Sequence, residues 1–408
     1  MYRISLLLII AVMLLTACGG ATTATVAPAA TQVTAETQAP ATSEPIRFGV
    51  IQPLTGAIAA AGSYVVSGVN LAVERINSEG GVCGRNLEPV VVDGKNDPQE
   101  SANAAELLIT RDKVPIIIGA WGSSATLAVM PVMERDKVPL LVETSSSSKI
   151  TSPETPGYDW VHRISPPSAI EAEAAEPFLV KDLGMTKVAI LSVNNDWGRG
   201  AAEVFTAAIE RQGGKIVSSD FIDESATDVL PQLTSIKNSE ADSILMTTDS
   251  AQIANILKQY KELGMTQTVL TTGGSNYPQA IISLSSPDVV NGTYHLAFWV
   301  PTRPDLAGDP ELSKWYVQEY QKKDLPEVGL GESFRGFDAV LVVAKAIEDN
   351  NCSLDPASLN DALGKVEVNT LAGPVKFDLD NGHQSRPHVY ILKVENGETT
   401  VPEFQFNK

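Results

Sequence analysis

From Ile46 onward the chain alternates short apolar runs with amphipathic helical stretches, and few folds satisfy that alternation. "IRFGVIQ" reads as a strand. Gly62 to Asn77 follows as a helix with Val65, Val69, Ala72, Val73 and Ile76 on one face. "LEPVVVD" is the next strand, and Asp97 caps a helix from Pro98 to about Arg111, with proline at its first position. "VPIIIG" precedes a helix from Ser123, and "VPLLV" follows it. The isoleucine run shows no polar alternation, as expected of a strand covered on both faces. Repeated βα units of this kind build a parallel sheet with helices on both sides.

After "RISPPS" the alternation restarts. "KVAILSV" leads to a helix from Trp197, and "KIVSSDFI" to one from Asp228 to Lys237. "ADSILMTT" leads to a helix from about Ala251 to Leu263, and "TVLTT" to a further segment. The expectation is therefore an α/β chain with two doubly wound, Rossmann-like units. Helices near Pro310 to Lys323 and Arg335 to Asp349 come next. The stretch "GPVKFDLDNGHQSRPHVYILKVENGETT" then reads as a β-hairpin turning around Asn381-Gly382.

Open α/β sheets bind ligands outside the carboxyl ends of their strands. Two units facing each other line a common cleft with those ends. Candidate site positions are then 52–61, 93–97, 120–124, 143–147, 194–197, Asp249 and 272–276. In "GAWGSSAT" the glycines let the chain leave the sheet tightly, and Ser123 opens a helix. The unpaired N–H groups and positive end of that helix suit an anion. Trp121 either walls the pocket or plugs the sheet edge.

The N-terminus indicates the compartment. "MYRISLLLIIAVMLLTAC" has an early cation, Arg3, then an apolar run from Leu6 to Leu15, too short for a permanent span. Small residues before Cys18 make residues 1–18 resemble a bacterial lipoprotein signal peptide, in which Cys18 is lipidated, the alternative being an ordinary signal peptide with a stray cysteine. Residues 19–45 are almost all Ala, Thr, Pro, Gln and Val, a composition that buries too little to fold. They read as a disordered tether with a reach of roughly 30 Å. No other segment is apolar enough for a transmembrane helix. The formal net charge of −19 argues against nucleic acid or anionic lipid as partner. Outside the cytoplasm Cys83 and Cys352, both in turn-like contexts, are candidates for a disulfide, the alternative being two unpaired thiols.

Enzyme chemistry finds no foothold. His162, His295, His383 and His388 stand in no triad setting, and neither "GGSNY" nor "GSSAT" makes a nucleophile elbow. "HQSRPH" offers metal-like spacing but no third ligand nearby. Phosphate-loop and dinucleotide fingerprints are missing, so neither cofactor nor metal is expected.

At this point an ordered set of fragments resembles a known family. The lipobox, "GVIQPLTGAIAAAG", "AVERINSEGGVCGRNLEPVVVDGKNDPQESANAAELLI", "VPIIIGAWGSSAT", "GPVKFDLDNG" and "VYILKVENGE" look like the type I periplasmic binding proteins of the branched-chain amino-acid class. The resemblance implies two lobes joined by three hinge crossings, near Ser165, Val300 and Pro374. Lobe 1 would hold 46–165 and 300–373, and lobe 2 would hold 166–299 and 374–408. It implies an extracytoplasmic, monomeric substrate-binding protein that closes on a small carboxylate-bearing solute and delivers it to ABC transporter permease subunits. A ligand-sensing module for a membrane receptor, or a binder of amides or other small organic solutes, is the alternative. By similarity the ligand's carboxylate meets Ser123, beside Trp121 and Ser124, and a loop with Thr144, Ser145 and Ser146. Trp197 closes from the other lobe.

The sequence departs from the family on the ammonium side. "LTTGGSNYP", where an acid is expected, has none, and Gly274 stands in that stretch. A family tyrosine aligns with Asp249 and a pocket phenylalanine with Glu332. The ammonium is then held by Asp249, Glu332 or Glu143, or the ligand has none. Each of these acids could equally be a cap or a solvated charge.

Overall fold

The computed structural model describes residues 44–273, 277–379 and 383–406. Cys18, Gly274 and the Asn381-Gly382 turn lie outside them. The first run of the chain is β1 (Ile46–Gln52), α1 (Ala59–Ser78), β2 (Leu87–Asp93), α2 (Pro98–Thr110), β3 (Ile117–Ile118), α3 (Ser123–Asp136), β4 (Leu140–Val142) and β5 (Val161–Arg163). The second is α4 (Ser168–Leu179), β6 (Lys187–Val193), α5 (Asp196–Arg211), β7 (Lys215–Ile222), α6 (Leu230–Asn238) and β8 (Ser243–Thr247). It continues through α7 (Ser250–Glu262), β9 (Thr268–Thr271), α8 (Pro278–Leu284), α9 (Pro287–Val290) and β10 (Tyr294–Ala297). Then come α10 (Pro310–Lys322), α11 (Leu330–Asp349), α12 (Pro356–Leu363), β11 (Glu367–Asn369), β12 (Pro374–Asp378), β13 (Gln384–Ser385), β14 (Tyr390–Glu395) and β15 (Glu398–Thr400).

Two sheets result. One has the order β11-β12-β13-β5-β4-β3-β1-β2, the other β15-β14-β10-β9-β8-β6-β7. Strands β1 to β5 pair in parallel, and so do β6 to β10. Both cores carry the same doubly wound order, reversing between β1 and β3 and between β6 and β8, which is where such sheets open a crevice.

Side-chain alternation along each central strand splits the core into layers. Ile46, Phe48 and Val50 of β1 pack with Val69, Ala72 and Val73 of α1 and Phe337 and Val340 of α11. Ile51 turns the other way, toward Ala104, Ala105 and Leu108 of α2 and Val129 and Met133 of α3. In the second sheet Val188 and Ile190 face Phe205, Ala208 and Ile209 of α5, while Ala189 and Leu191 face Ile253, Ile256 and Leu257 of α7. The expected apolar face of α1 is therefore the buried one.

The C-terminal segment departs from the expected single hairpin. Strands β12 and β13 pair antiparallel with each other, and β13 joins β5 in the first sheet. Strand β14 pairs antiparallel with β10 in the second sheet and turns back into β15. The change of sheet thus falls between Ser385 and Tyr390, not near Pro374. Local alternation marks strands well, but the sheet a strand joins is decided by packing far along the chain.

Cys83 and Cys352, following α1 and α11, form a disulfide across a sequence separation of 269. The two helices pack side by side, so the bridge ties together loops that packing has already brought close. Such a closure restricts the unfolded chain and stabilises by about 2–4 kcal/mol.

Candidate functional site

A cavity of about 180 Å³ lies between the carboxyl ends of the two sheets, far above the roughly 10–15 Å³ needed by one water. Its first wall is built by the residues following β1, β3 and β4. Strand β3 leaves the sheet through Gly119, whose φ of +147° and closeness to the Ile51 carbonyl exclude a side chain. Trp121 takes φ +64° and lines the cavity. Gly122 caps α3, and a Cβ there would meet Asn96 Oδ1 at 2.0 Å. The two glycines thus place Trp121 at the cavity wall and let α3 start one residue after Gly122's cap position.

The hydroxyls near that helix start are partly committed. Ser123 lines the cavity, yet its Oγ accepts the Ser147 N–H at 3.1 Å. Ser145 donates to the Trp121 carbonyl at 2.5 Å and shares a 2.6 Å bond with Thr126, so it fixes the tryptophan's peptide. Ser146 donates to the Thr144 carbonyl at 3.2 Å and Thr144 to Glu143 Oε1 at 3.2 Å, both long bonds. Thr144, Ser145 and Ser146 all line the cavity. Ser124 does not. Its hydroxyl reaches across the cleft to Asp196 Oδ2 at 2.9 Å, where Lys149 Nζ meets the other oxygen at 2.9 Å. One residue along the helix, a rotation of about 100°, is enough to aim it at α5 instead of at the cavity.

The opposite wall comes from the second sheet and from the start of α11. Asn195 and Trp197 follow β6, Glu224 follows β7, and Thr248 to Ala251 follow β8. The Trp197 indole N–H is buried with no acceptor among the described residues. Asp249 caps α7, its Oδ1 accepting the Ala251 and Gln252 N–H groups at 2.9 and 3.1 Å, and also borders the cavity. Asp249 is thus a helix cap placed at the cavity's edge. Burial raises its pKa against those two bonds. Glu332, in the first turn of α11 and 7% exposed, also borders the cavity. Glu143 does not border it. It borders a second cavity of about 20 Å³, and Gln52 Nε2 donates to its Oε1 at 2.7 Å. Among the described lining residues three are acidic and none is Lys, Arg or His. Ala57, Ile58, Tyr64, Val193, Leu284 and Val328 supply apolar surface.

Behind the cavity floor sits Arg335, 2% exposed. Its Nη1 donates to the Glu143 carbonyl and its Nη2 to the Gly273 carbonyl, both at 3.1 Å, so it bridges the ends of β4 and β9. Glu332 Oε2 lies 3.7 Å from its Nε. Glu171 Oε2 accepts the Gly273 N–H at 3.1 Å, and Asp338 accepts the Leu371 and Ala372 N–H groups. Burial pushes both Glu171 and Asp338 up to about 7. Asn96 lies in the 93–97 stretch expected after β2, and Glu332 is reached through the resemblance. Arg335, Glu171 and Asp338 carry no signal in the sequence, nor do Tyr64 and Glu224. Each is a polar or aromatic residue in an ordinary amphipathic context whose neighbours are set by the fold.

Comparison with known proteins agrees with this fold. The profile of the periplasmic binding proteins matches residues 45–399. A Leu/Ile/Val-binding protein homologue of Brucella melitensis is 26% identical over 355 residues, covering 86% of this chain and 92% of that protein. The crystal structure of a leucine-binding protein from Thermotoga maritima superposes with a TM-score of 0.77 at 26% identity, covering 88% of this chain and 97% of that one. The substrate-binding protein of a branched-chain amino-acid transporter from Streptococcus pneumoniae, solved with isoleucine, shares the fold with a TM-score of 0.76 at 21% identity, covering 88% and 98%.

Proposed function

Since the chain belongs to the periplasmic binding protein family, we propose that it is the extracytoplasmic substrate-binding protein of an ABC importer, tethered through Cys18. Its solute is small, bears a carboxylate, and is a branched-chain or related amino acid. The observation that carries this reading is the polarity of the cleft. One wall presents the N-terminus of α3 with Thr144, Ser145 and Ser146, and the other presents Asp249, Glu224 and Glu332. A helix N-terminus favours an anion by about 0.3–1 kcal/mol, and each charge-assisted hydrogen bond contributes about 1.5–3 kcal/mol. A few such contacts with aromatic burial reach the roughly −8 kcal/mol of a micromolar complex. Trp121 and Trp197 supply the apolar body of the pocket, and the Trp197 N–H is an open donor. The carboxylates on the second wall suit an ammonium and stand in for the acid absent from "TTGGSNY". The leucine-binding relative named above supports this class of solute.

A ligand that binds only the folded chain raises its unfolding midpoint by mass action. A thermal-shift panel of L-leucine, L-isoleucine, L-valine and benzoate, each beside its primary amide, tests the reading. An amino acid is expected to shift the midpoint by a few degrees, its amide less, and benzoate, which lacks an ammonium, less again. An amide that matches its acid, or a panel in which no acid shifts the midpoint, contradicts it.

A further inference from the structure

Arg163 ends β5 and is wholly buried. Its Nε donates to Gln384 Oε1 at 2.5 Å, and its Nη2 to Thr151 Oγ1 at 2.7 Å. Its Nη1 donates to two carbonyls, those of Ser145 at 3.2 Å and Ser147 at 2.7 Å. All four acceptors are neutral. Among the described residues no carboxylate lies within ion-pair distance of this guanidinium, and burial pulls its pKa down to about 9. An ion buried without a counter-charge is costly, so the missing charge calls for a physical account.

The loop that Arg163 holds is the one that lines the cavity with Ser145 and Ser146. Gly119-Ala120 is the cis bond among the described residues, so the Ser145-Ser146 peptide is trans. In a trans peptide the N–H points opposite to the carbonyl. With the Ser145 carbonyl drawn to the guanidinium, the Ser146 N–H points away from it, and the bond polarises that peptide with its positive end outward. The next peptide is fixed in turn by the Ser147 N–H bonding Ser123 Oγ.

We propose that Arg163 is the positioning residue of the anion wall: it orients the Ser145–Ser147 peptides, and its missing counter-charge is the carboxylate of the bound solute. The proposal rests on the carboxylate reading above.

Calorimetric dissociation constants test it, taken for the panel acid with the largest thermal shift and for that acid's primary amide. They are measured in the wild type, Arg163→Met, Arg163→Lys and Thr151→Asp. The wild type is expected to prefer the acid by about tenfold or more, and Arg163→Met to remove most of that preference. Arg163→Lys keeps the charge and should keep the preference, while both ligands bind more weakly. Thr151→Asp gives the guanidinium a counter-ion where an acceptor already bonds it. The preference should fall in that variant without loss of the ligand-free unfolding midpoint, so it carries the test where Arg163→Met does not fold. Equal weakening of acid and amide in these variants, with the ratio unchanged, overturns the proposal and leaves Arg163 a brace. A wild type with no preference for the acid overturns the carboxylate reading itself, and this proposal with it.

Discussion

Two arginines are buried in this molecule to the same degree and in opposite company. Arg163 reaches only neutral acceptors, while Arg335 sits among Glu143, Glu171, Glu332 and Asp338. The first backs the loop of hydroxyls and amides on one wall of the cleft, and the second lies at the floor, next to Glu332 on the other. Buried charge is thus left short of anions on one side and given them in excess on the other. A pocket that only needed a stable floor would have no use for this imbalance. On the proposed reading a dipolar solute completes the pairing.

The largest effect that can break this comparison is loss of the crowded arginine. Arg335→Met leaves four buried carboxylates with no cation, and unfolding in urea at pH 8 should show a loss of about 3–5 kcal/mol. The deficit should shrink toward pH 5, where Glu171 and Asp338, both pushed up to about 7 by burial, hold protons, a dependence not expected of Arg163→Met. A deficit that is the same at both pH values contradicts the cluster's electrostatic account.

A smaller effect sharpens it. Burial holds Glu171 at about 7, above its ordinary 4.5. Between those values the folded chain keeps a proton that the unfolded chain releases, so the stabilisation is complete below about pH 4.5 and is lost as pH rises through 7. The swing is on the order of 3 kcal/mol. Glu171→Gln keeps an acceptor for the Gly273 N–H and removes the titration. Its stability should therefore fall less than that of the wild type between pH 5 and pH 8. Parallel stability curves for the two proteins would place the titrating group elsewhere.

Much of the site is legible in the sequence because a parallel sheet leaves a ligand few places to go. Trp121, Ser123, the Thr144–Ser146 loop, Trp197 and Asp249 all follow strands, and all border the cavity. Glu332 opens α11 and is found through the family resemblance rather than through strand ends. Ser124 shows the limit of adjacency: it neighbours Ser123 in the chain, but the helical turn sends its hydroxyl to Asp196. Arg163 shows a different limit. Its partner Gln384 lies 221 residues away, on a strand whose sheet local patterning does not decide. The one local hint is an arginine beside the apolar Val161 and Ile164, just before the crossing expected near Ser165.

A crystal structure of the protein with the panel acid giving the largest thermal shift tests the central claim most directly. The account predicts the carboxylate oxygens about 2.7–3.2 Å from the Ser146 N–H and the hydroxyls beside the start of α3, with the ammonium facing Asp249 or Glu332. A carboxylate bound on the Asp249 side, or a solute outside the cleft, would contradict it.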